Sequence, residues 1–399
     1  MAPPGPVTGK AGNLALLALA MVLAPAVWFA GTAAVPALLA ADAVTRGQAG
    51  WLTASVQAGF VFGTLVSAVF ALSDRLPARG LFLGSALVAG AGTAAQALIE
   101  PAGAGAYALR FLAGAAMAGI YPVGMKLAAG WARGDLGLLI GLVVGALAIG
   151  SAAPHALPAV LGTVDWRALY LAAGAIAVLG GLAILPFRPG PAEAGRPPFR
   201  PAQALEAWRD RRLRLANLGY LGHMWELYAM WAWVGLFLSS LGETRGTEAP
   251  PGVLTALVIA SGALGCVGLG LLADRFNRAR MAAAAMLVSG SCALLIGPAS
   301  HISLALTLVL AGVWGVAVVA DSAQFSACTA LCAPPGYVGT MLTVQTSAGF
   351  LLTVPAIQLM AWAVPALGWG WAFALLGLGP LLGAAAMWRL APLLPPMAR

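Results

Sequence analysis

The sequence predicts an all-α integral membrane protein of twelve transmembrane helices, built as two six-helix bundles with pseudo-two-fold symmetry. Three observations point there. The 399 residues are 61% hydrophobic and 9% charged, with a mean hydropathy of +0.91, whereas a soluble domain carries roughly 25% charged residues. Polar or Pro/Gly-rich breaks cut the chain into twelve apolar runs near the ~20 residues that span a bilayer. A phrase also occurs twice at matching places: Ala71-Leu72-Ser73-Asp74-Arg75-Leu76-Pro77-Ala78-Arg79 closes the second run, and Leu272-Ala273-Asp274-Arg275-Phe276-Asn277-Arg278-Ala279-Arg280 closes the eighth. Such repetition is the mark of a duplicated bundle.

A short tail, residues 1–12, precedes the first run, 13–40. That run follows Lys10 with the polarity of a signal peptide but far exceeds a signal core of about 7–15 residues, so it reads as the first span. Spans two to six cover 50–72, 80–99, 105–131, 137–161 and 167–187, completing an N-terminal bundle over 13–187. The Pro- and Arg-rich stretch 188–212 is the one long hydrophilic segment and reads as a linker. Spans seven to twelve cover 213–240, 252–273, 280–298, 302–332, 337–363 and 369–390, giving a C-terminal bundle over 213–390 and a tail over 391–399. The surplus of glycine and alanine suits close helix packing in lipid.

Basic residues set the orientation. Apart from Arg46, Arg167, Arg245 and the in-span Arg110, every Lys and Arg falls on the side that carries both termini and the linker. By the positive-inside rule both termini are cytoplasmic. The same distribution explains the net charge of +8 without a nucleic-acid partner, because the arginines sit in inter-helix loops. Cys266, Cys292, Cys328 and Cys332 lie in apolar runs without Cys-x-x-Cys spacing and read as small buried hydrophobes. The sequence suggests no metal site, no cofactor and no enzymatic constellation.

The doubled turn resembles the loop between the second and third helices of each half of the major facilitator superfamily. The second copy, with Gly270 four residues before Asp274, is the better match; the first lacks that glycine and holds Pro77. Arg110-Phe111-Leu112-Ala113-Gly114 with Gly119 resembles that superfamily's Arg-x-Leu-x-Gly motif, and Asp165-Trp166-Arg167 its Trp-Arg helix start. Gly141, Gly145, Gly150 and Pro154 resemble its antiporter pattern only loosely. The chain is also similar to bacterial proteins grouped with nitrate/nitrite porters, which implies a bacterial inner membrane. Those porters hold the anion with arginines in the second and eighth spans; 50–72 and 252–273 have no Arg or Lys, which tells against nitrate. The resemblance implies a transporter whose first, fourth, seventh and tenth spans line a central cavity, and a cytoplasmic gate formed by Asp74, Arg75, Asp274, Arg275 and Arg278.

Ionisable groups inside a span cost about 2.5–3.5 kcal/mol or more and are functional candidates by default. On span seven, His223 and Glu226 fall about 60° apart at 100° per residue, on a side shared with Gly219, Gly222, Met230 and Trp233. An acid beside an imidazole suits proton exchange, and the bland alternative is a structural tie between helices. On span ten, Asp321 shares a stripe with Trp314, Gln324, Phe325 and Cys328, and is either a second proton site or a permanently paired acid. On span four, Arg110 shares a face with Gly114, Met117 and Tyr121; it reads as an anion-binding group or as the fixed counter-charge of Glu226 or Asp321. Lys126 falls about 160° away and is expected to snorkel. Trp28 and Thr32, Gln57, and Gln345 with Thr346 offer neutral lining. His155, between Pro154 and Pro158, reads as a packing residue.

The expected function is proton-coupled movement of a small solute by alternating access, with Glu226 ranked ahead of Asp321 as the proton site. Uptake is favoured over efflux because the span-five antiporter pattern is imperfect. A drug or metabolite exporter is the rival of the same class. A non-transporting receptor or assembly subunit on the same fold is the rival of another class, and would not need protonatable groups in its cavity.

Overall fold

A computed structural model describes residues 9–162, 165–191, 201–247, 249–273, 275–334 and 336–394. Its long helices, labelled here in chain order, are α1 (Lys10–Ala40), α2 (Arg46–Val69), α3 (Ala78–Leu98), α4 (Ala104–Ala129), α5 (Leu136–Leu161) and α6 (Trp166–Ala183) in the first half. The second half holds α7 (Arg211–Arg245), α8 (Pro251–Ala273), α9 (Arg278–Ile302), α10 (Leu304–Cys332), α11 (338–367) and α12 (369–390). The last two are joined directly at Gly368, whose φ of 79° reverses the chain where a side chain would be strained. Helix α7, at 35 residues, is longer than its neighbours but less apolar, because it carries His223 and Glu226 within and charged residues at both ends.

Three of these helices are broken near their middles. In α1 a 3₁₀ turn, Ala24–Val27, contains Pro25, which cannot donate a helical hydrogen bond. In α4 the helix stops at Met117 and restarts at Tyr121, with Pro122 in the new first turn. In α10 it stops at Ala320 and restarts at Ser322, leaving Asp321 on the junction. These breaks place polar side chains and backbone at mid-span.

Each bundle is held by glycines at helix crossings. A Cβ on Gly114 of α4 would meet the Val56 carbonyl of α2, and one on Gly59 of α2 would meet the Phe111 carbonyl of α4. The second half repeats this: a Cβ on Gly315 of α10 would meet the Val258 carbonyl of α8, and one on Gly265 would meet the Val316 carbonyl. The repetition extends from the sequence phrase to the packing. Between the bundles, α5 lies against α8 along its length, where a Cβ on Gly141 would come 2.8 Å from the Cys266 carbonyl and one on Gly145 3.3 Å from Ala263. Helix α2 meets α11 at the other seam, with Gly50 beside Gln358. Large apolar side chains such as Leu264, Trp371 and Leu382 point outward, as a bilayer-embedded surface requires.

Candidate functional site

A cavity of about 690 Å³ lies between the bundles. It is walled by α2, α4, α5, α7, α10 and α11, and opens toward the side that carries both termini and the linker. Helix α1, expected among the lining helices, supplies none of the lining residues. It leans on the blind end instead, because its break carries Trp28 and Phe29 into an aromatic plug.

That plug joins the halves. Trp28 stacks on Tyr228 and Phe350 with centroids 5.7 and 5.8 Å apart, Phe60 meets Phe350 at 4.3 Å, and Phe29 meets the edge of Trp231 at 5.4 Å. Each such pair contributes about 0.5–1.5 kcal/mol beyond burial, all of it favouring closure of this end. Trp28 also donates its indole N–H to Gln57 Oε1 at 3.3 Å. It closes the cavity rather than lining it.

His223 faces the cavity from α7. Its Nδ1 is 2.9 Å from Asp321 Oδ1, and its Nε2 is 2.9 Å from Ser322 Oγ. The break in α10 makes this possible, since the junction puts Asp321 and Ser322 side by side against α7. Asp321 is 1% exposed and stands behind the imidazole. Glu226, expected beside His223, points elsewhere. Its two carboxylate oxygens accept from Ser289 Oγ of α9 and Trp314 Nε1 of α10, each at 2.8 Å. It is 1% exposed and enclosed within the second bundle.

Arg110 is not a counter-charge to either acid. Its Nε, Nη1 and Nη2 donate to the carbonyls of Leu52, Val27 and Trp28 at 3.3, 2.9 and 2.6 Å. Two of those carbonyls belong to the break in α1. Gly31 leaves room for the guanidinium, as a Cβ there would lie 3.0 Å from Nε. Arg110 therefore ties α4 to α1 and α2, and it is fully buried away from the cavity.

Of the other candidates, Tyr121 and Gln324 line the cavity. Trp314 serves Glu226, and Trp233 donates to the Ile357 carbonyl at 3.1 Å in the closed half. Lys126 does not snorkel away: the break in α4 turns it to the cavity mouth, where Nζ donates to the Ser73 carbonyl at 2.7 Å. Arg278 stands at the same mouth and donates to Gln324 Oε1 at 3.2 Å, while Arg75 and Arg275 are exposed on the two turns. Asp274 and the side chain of Asp74 lie outside the described residues. His155 is buried against Gly235 and Gly252, and all four cysteines are buried with free thiols.

The cavity stripe of α7 is Tyr220, His223, Met224, Leu227, Tyr228 and Trp231. Sequence reasoning named only His223 among these. Spacings of three and four residues were the available signal.

No curated protein matches this sequence. A solved structure of the major facilitator superfamily proton:xylose symporter XylE, bound to 6-bromo-6-deoxy-D-glucose, is similar with a TM-score of 0.69 at 15% identity, covering 96% of this chain and 97% of that one. At that identity the likeness is one of fold. Residues 17–357 match the Major Facilitator Superfamily as a sequence family, and the chain belongs to that superfamily, a multi-pass secondary transporter rather than an enzyme.

Proposed function

We propose that the protein takes up a small solute by alternating access, coupled to protons, with the His223–Asp321 pair as the proton site. The observation that carries this is His223 on the cavity wall with its Nδ1 2.9 Å from Asp321 Oδ1, at the junction of α10. An acid and an imidazole inside a span carry a cost that marks them as functional candidates, and His223 meets the compartment from which cargo enters or leaves, with Asp321 behind it. The similar fold of a proton:xylose symporter supports coupling. With both termini cytoplasmic, the open end faces inward and the aromatic plug closes the outer side. Rocking of the bundles about this level exposes the site alternately. Arg278 at the mouth, with Asp74, Arg75, Asp274 and Arg275 of the two turns, remains the proposed inner gate. Nitrate fits poorly: the buried Arg110 has all three of its nitrogens engaged on backbone carbonyls.

The test is proton movement in proteoliposomes loaded with a pH dye, driven by gradients of candidate solutes. Asp321→Asn should reduce solute-driven proton movement at least tenfold while solute exchange survives, and Glu226→Gln should retain coupling. Solute movement without any pH response rejects proton coupling. Loss of coupling in Glu226→Gln but not in Asp321→Asn returns the proton site to Glu226.

A further inference from the structure

Resting on that transporter reading, we propose that the cargo is an organic anion with a flat apolar body, held between aromatic side chains of the two bundles. The cavity, about 690 Å³, is within the ~300–1,000 Å³ of small-molecule sites. Its deep half presents Tyr121 from one bundle and Tyr220, Tyr228, Trp231 and Phe350 from the other. Rigid rings on opposed walls favour a planar guest, which can stack on them at little cost in side-chain freedom.

The polar groups narrow the class. Among the described lining residues no carboxylate faces the cavity: Glu226 is turned into its bundle by Ser289 and Trp314, and Asp321 stands behind His223. The charged and imidazole side chains that do line it are Lys126, His223 and Arg278, all of them basic. An aromatic cage alone can hold a cation through its ring faces, but here the two permanent charges on the described lining, Lys126 and Arg278, repel one. A sugar's hydroxyls each need a partner once buried; the wall does offer hydroxyls such as Thr64, Ser67, Ser326, Thr343 and Thr346, but Gln324, the one carboxamide among the described lining residues, already accepts from Arg278. What favours a flat anion over a neutral sugar is the combination of opposed rings with the two cations Lys126 and Arg278.

Equilibrium binding by calorimetry to the full chain in lipid nanodiscs, with four probes, tests this. 2-Naphthoate should bind at least tenfold more tightly than 2-naphthol or tetraphenylphosphonium, and D-xylose should give no heat. Phe350→Ala should weaken naphthoate binding at least tenfold, while Phe350→Trp, which keeps an aromatic face, should retain it. Equal binding of naphthol removes the anion requirement and overturns the proposal. So does tighter binding of tetraphenylphosphonium or xylose, or no binding of naphthoate. The two readings fail separately in proteoliposomes. If naphthoate binds but its gradient moves no protons, coupling fails and the cargo class stands. If tetraphenylphosphonium drives proton movement, the cargo class fails and coupling stands.

Discussion

Trp314 Nε1 donates to Glu226 at 2.8 Å, which removes this carboxylate from the cavity and makes it part of the interior of the second bundle. Ser289 completes the arrangement, so α7, α9 and α10 meet at one side chain. A buried carboxylate with two donors is a structural acceptor whatever else it does. The acid that reaches the cavity is Asp321, through His223.

Removing that acceptor should cost stability. Glu226→Ala leaves the Trp314 N–H without a partner, at about 1–3 kcal/mol for an unsatisfied buried group. Ser289 keeps an alternative in the Met286 carbonyl at 3.2 Å, so Trp314 carries most of the loss. Glu226→Gln can offer its carbonyl to Trp314 and its amide to the Ser289 oxygen, and should stay within about 1 kcal/mol of the wild type. Thermal unfolding of the purified variants checks this; equal losses in both would assign the effect to charge instead.

Arg110 allows a second test of structure against transport. Its three nitrogens satisfy carbonyls on α1 and α2. Arg110→Lys, with a single ammonium, cannot serve all three and should destabilise by at least about 2 kcal/mol, from the ~1–3 kcal/mol of each group left unpaired. Whatever variant protein folds should keep its cargo affinity, because Arg110 does not line the cavity. A loss of affinity at unchanged thermal stability would place it in the binding site.

The spans were legible because a bilayer demands apolar runs of fixed length, and their ends agree with the structure within a few residues. The Arg110 and Gly114 motif was legible as a pattern, though its purpose was not: only the break in α1 reveals which carbonyls need the guanidinium. Helical angles placed His223 and Glu226 on one side of α7, but an angle does not say which neighbours stand opposite, and the two side chains part company. Helices α9 and α10 capture Glu226, while the junction of α10 captures His223. Lys126 was misplaced for a related reason, since a wheel drawn through the break at 118–120 carries the wrong phase into the second half of α4.

Gly114 should tolerate no side chain. A Cβ there meets the Val56 carbonyl, which belongs to a helix and cannot move alone. Gly114→Ala should force α2 and α4 apart, costing about 1–3 kcal/mol as overpacking does. Gly84, with open space around its position, is the control and should accept alanine with no loss. Folded yield and thermal unfolding would decide it; equal behaviour of the two variants would refute the contact.

Asp135, outside the membrane-spanning segments, predicts a pH dependence. The Arg133 backbone N–H at 2.8 Å and the Lys10 ammonium at 2.6 Å hold its carboxyl below the ordinary carboxylate range. Because the folded-state value is depressed, the ionised pair stabilises above the ordinary Asp pKa of about 3.9, and its contribution is lost as pH falls through the lowered value. The pair is partly exposed, so screening limits it to about 1 kcal/mol or less. Asp135→Asn should be slightly less stable at pH 7, and the difference should vanish in acid. A difference that grows on acidification would contradict the pairing.

The orientation can be tested with single cysteines. The four native thiols are buried, so a membrane-impermeant maleimide should leave them untouched in the folded protein. Arg245 ends α7 on the closed side, where its guanidinium donates to the His301 carbonyl at 3.0 Å, and it is exposed. Arg275 is exposed on the turn between α8 and α9, three residues before the cavity-lining Arg278. In the proposed orientation, with the termini inside, Arg245→Cys should label from outside intact cells and Arg275→Cys only after the membrane is opened. A third position, Thr343→Cys on the cavity wall of α11, reports the conformational cycle. In the inward-open state it should label from the cytoplasmic side alone, and cargo that drives the bundles through their cycle should slow that labelling. Labelling of positions 245 and 275 from the same side would overturn the topology. Labelling of position 343 from outside in the resting protein would show that the aromatic plug does not seal the outer end.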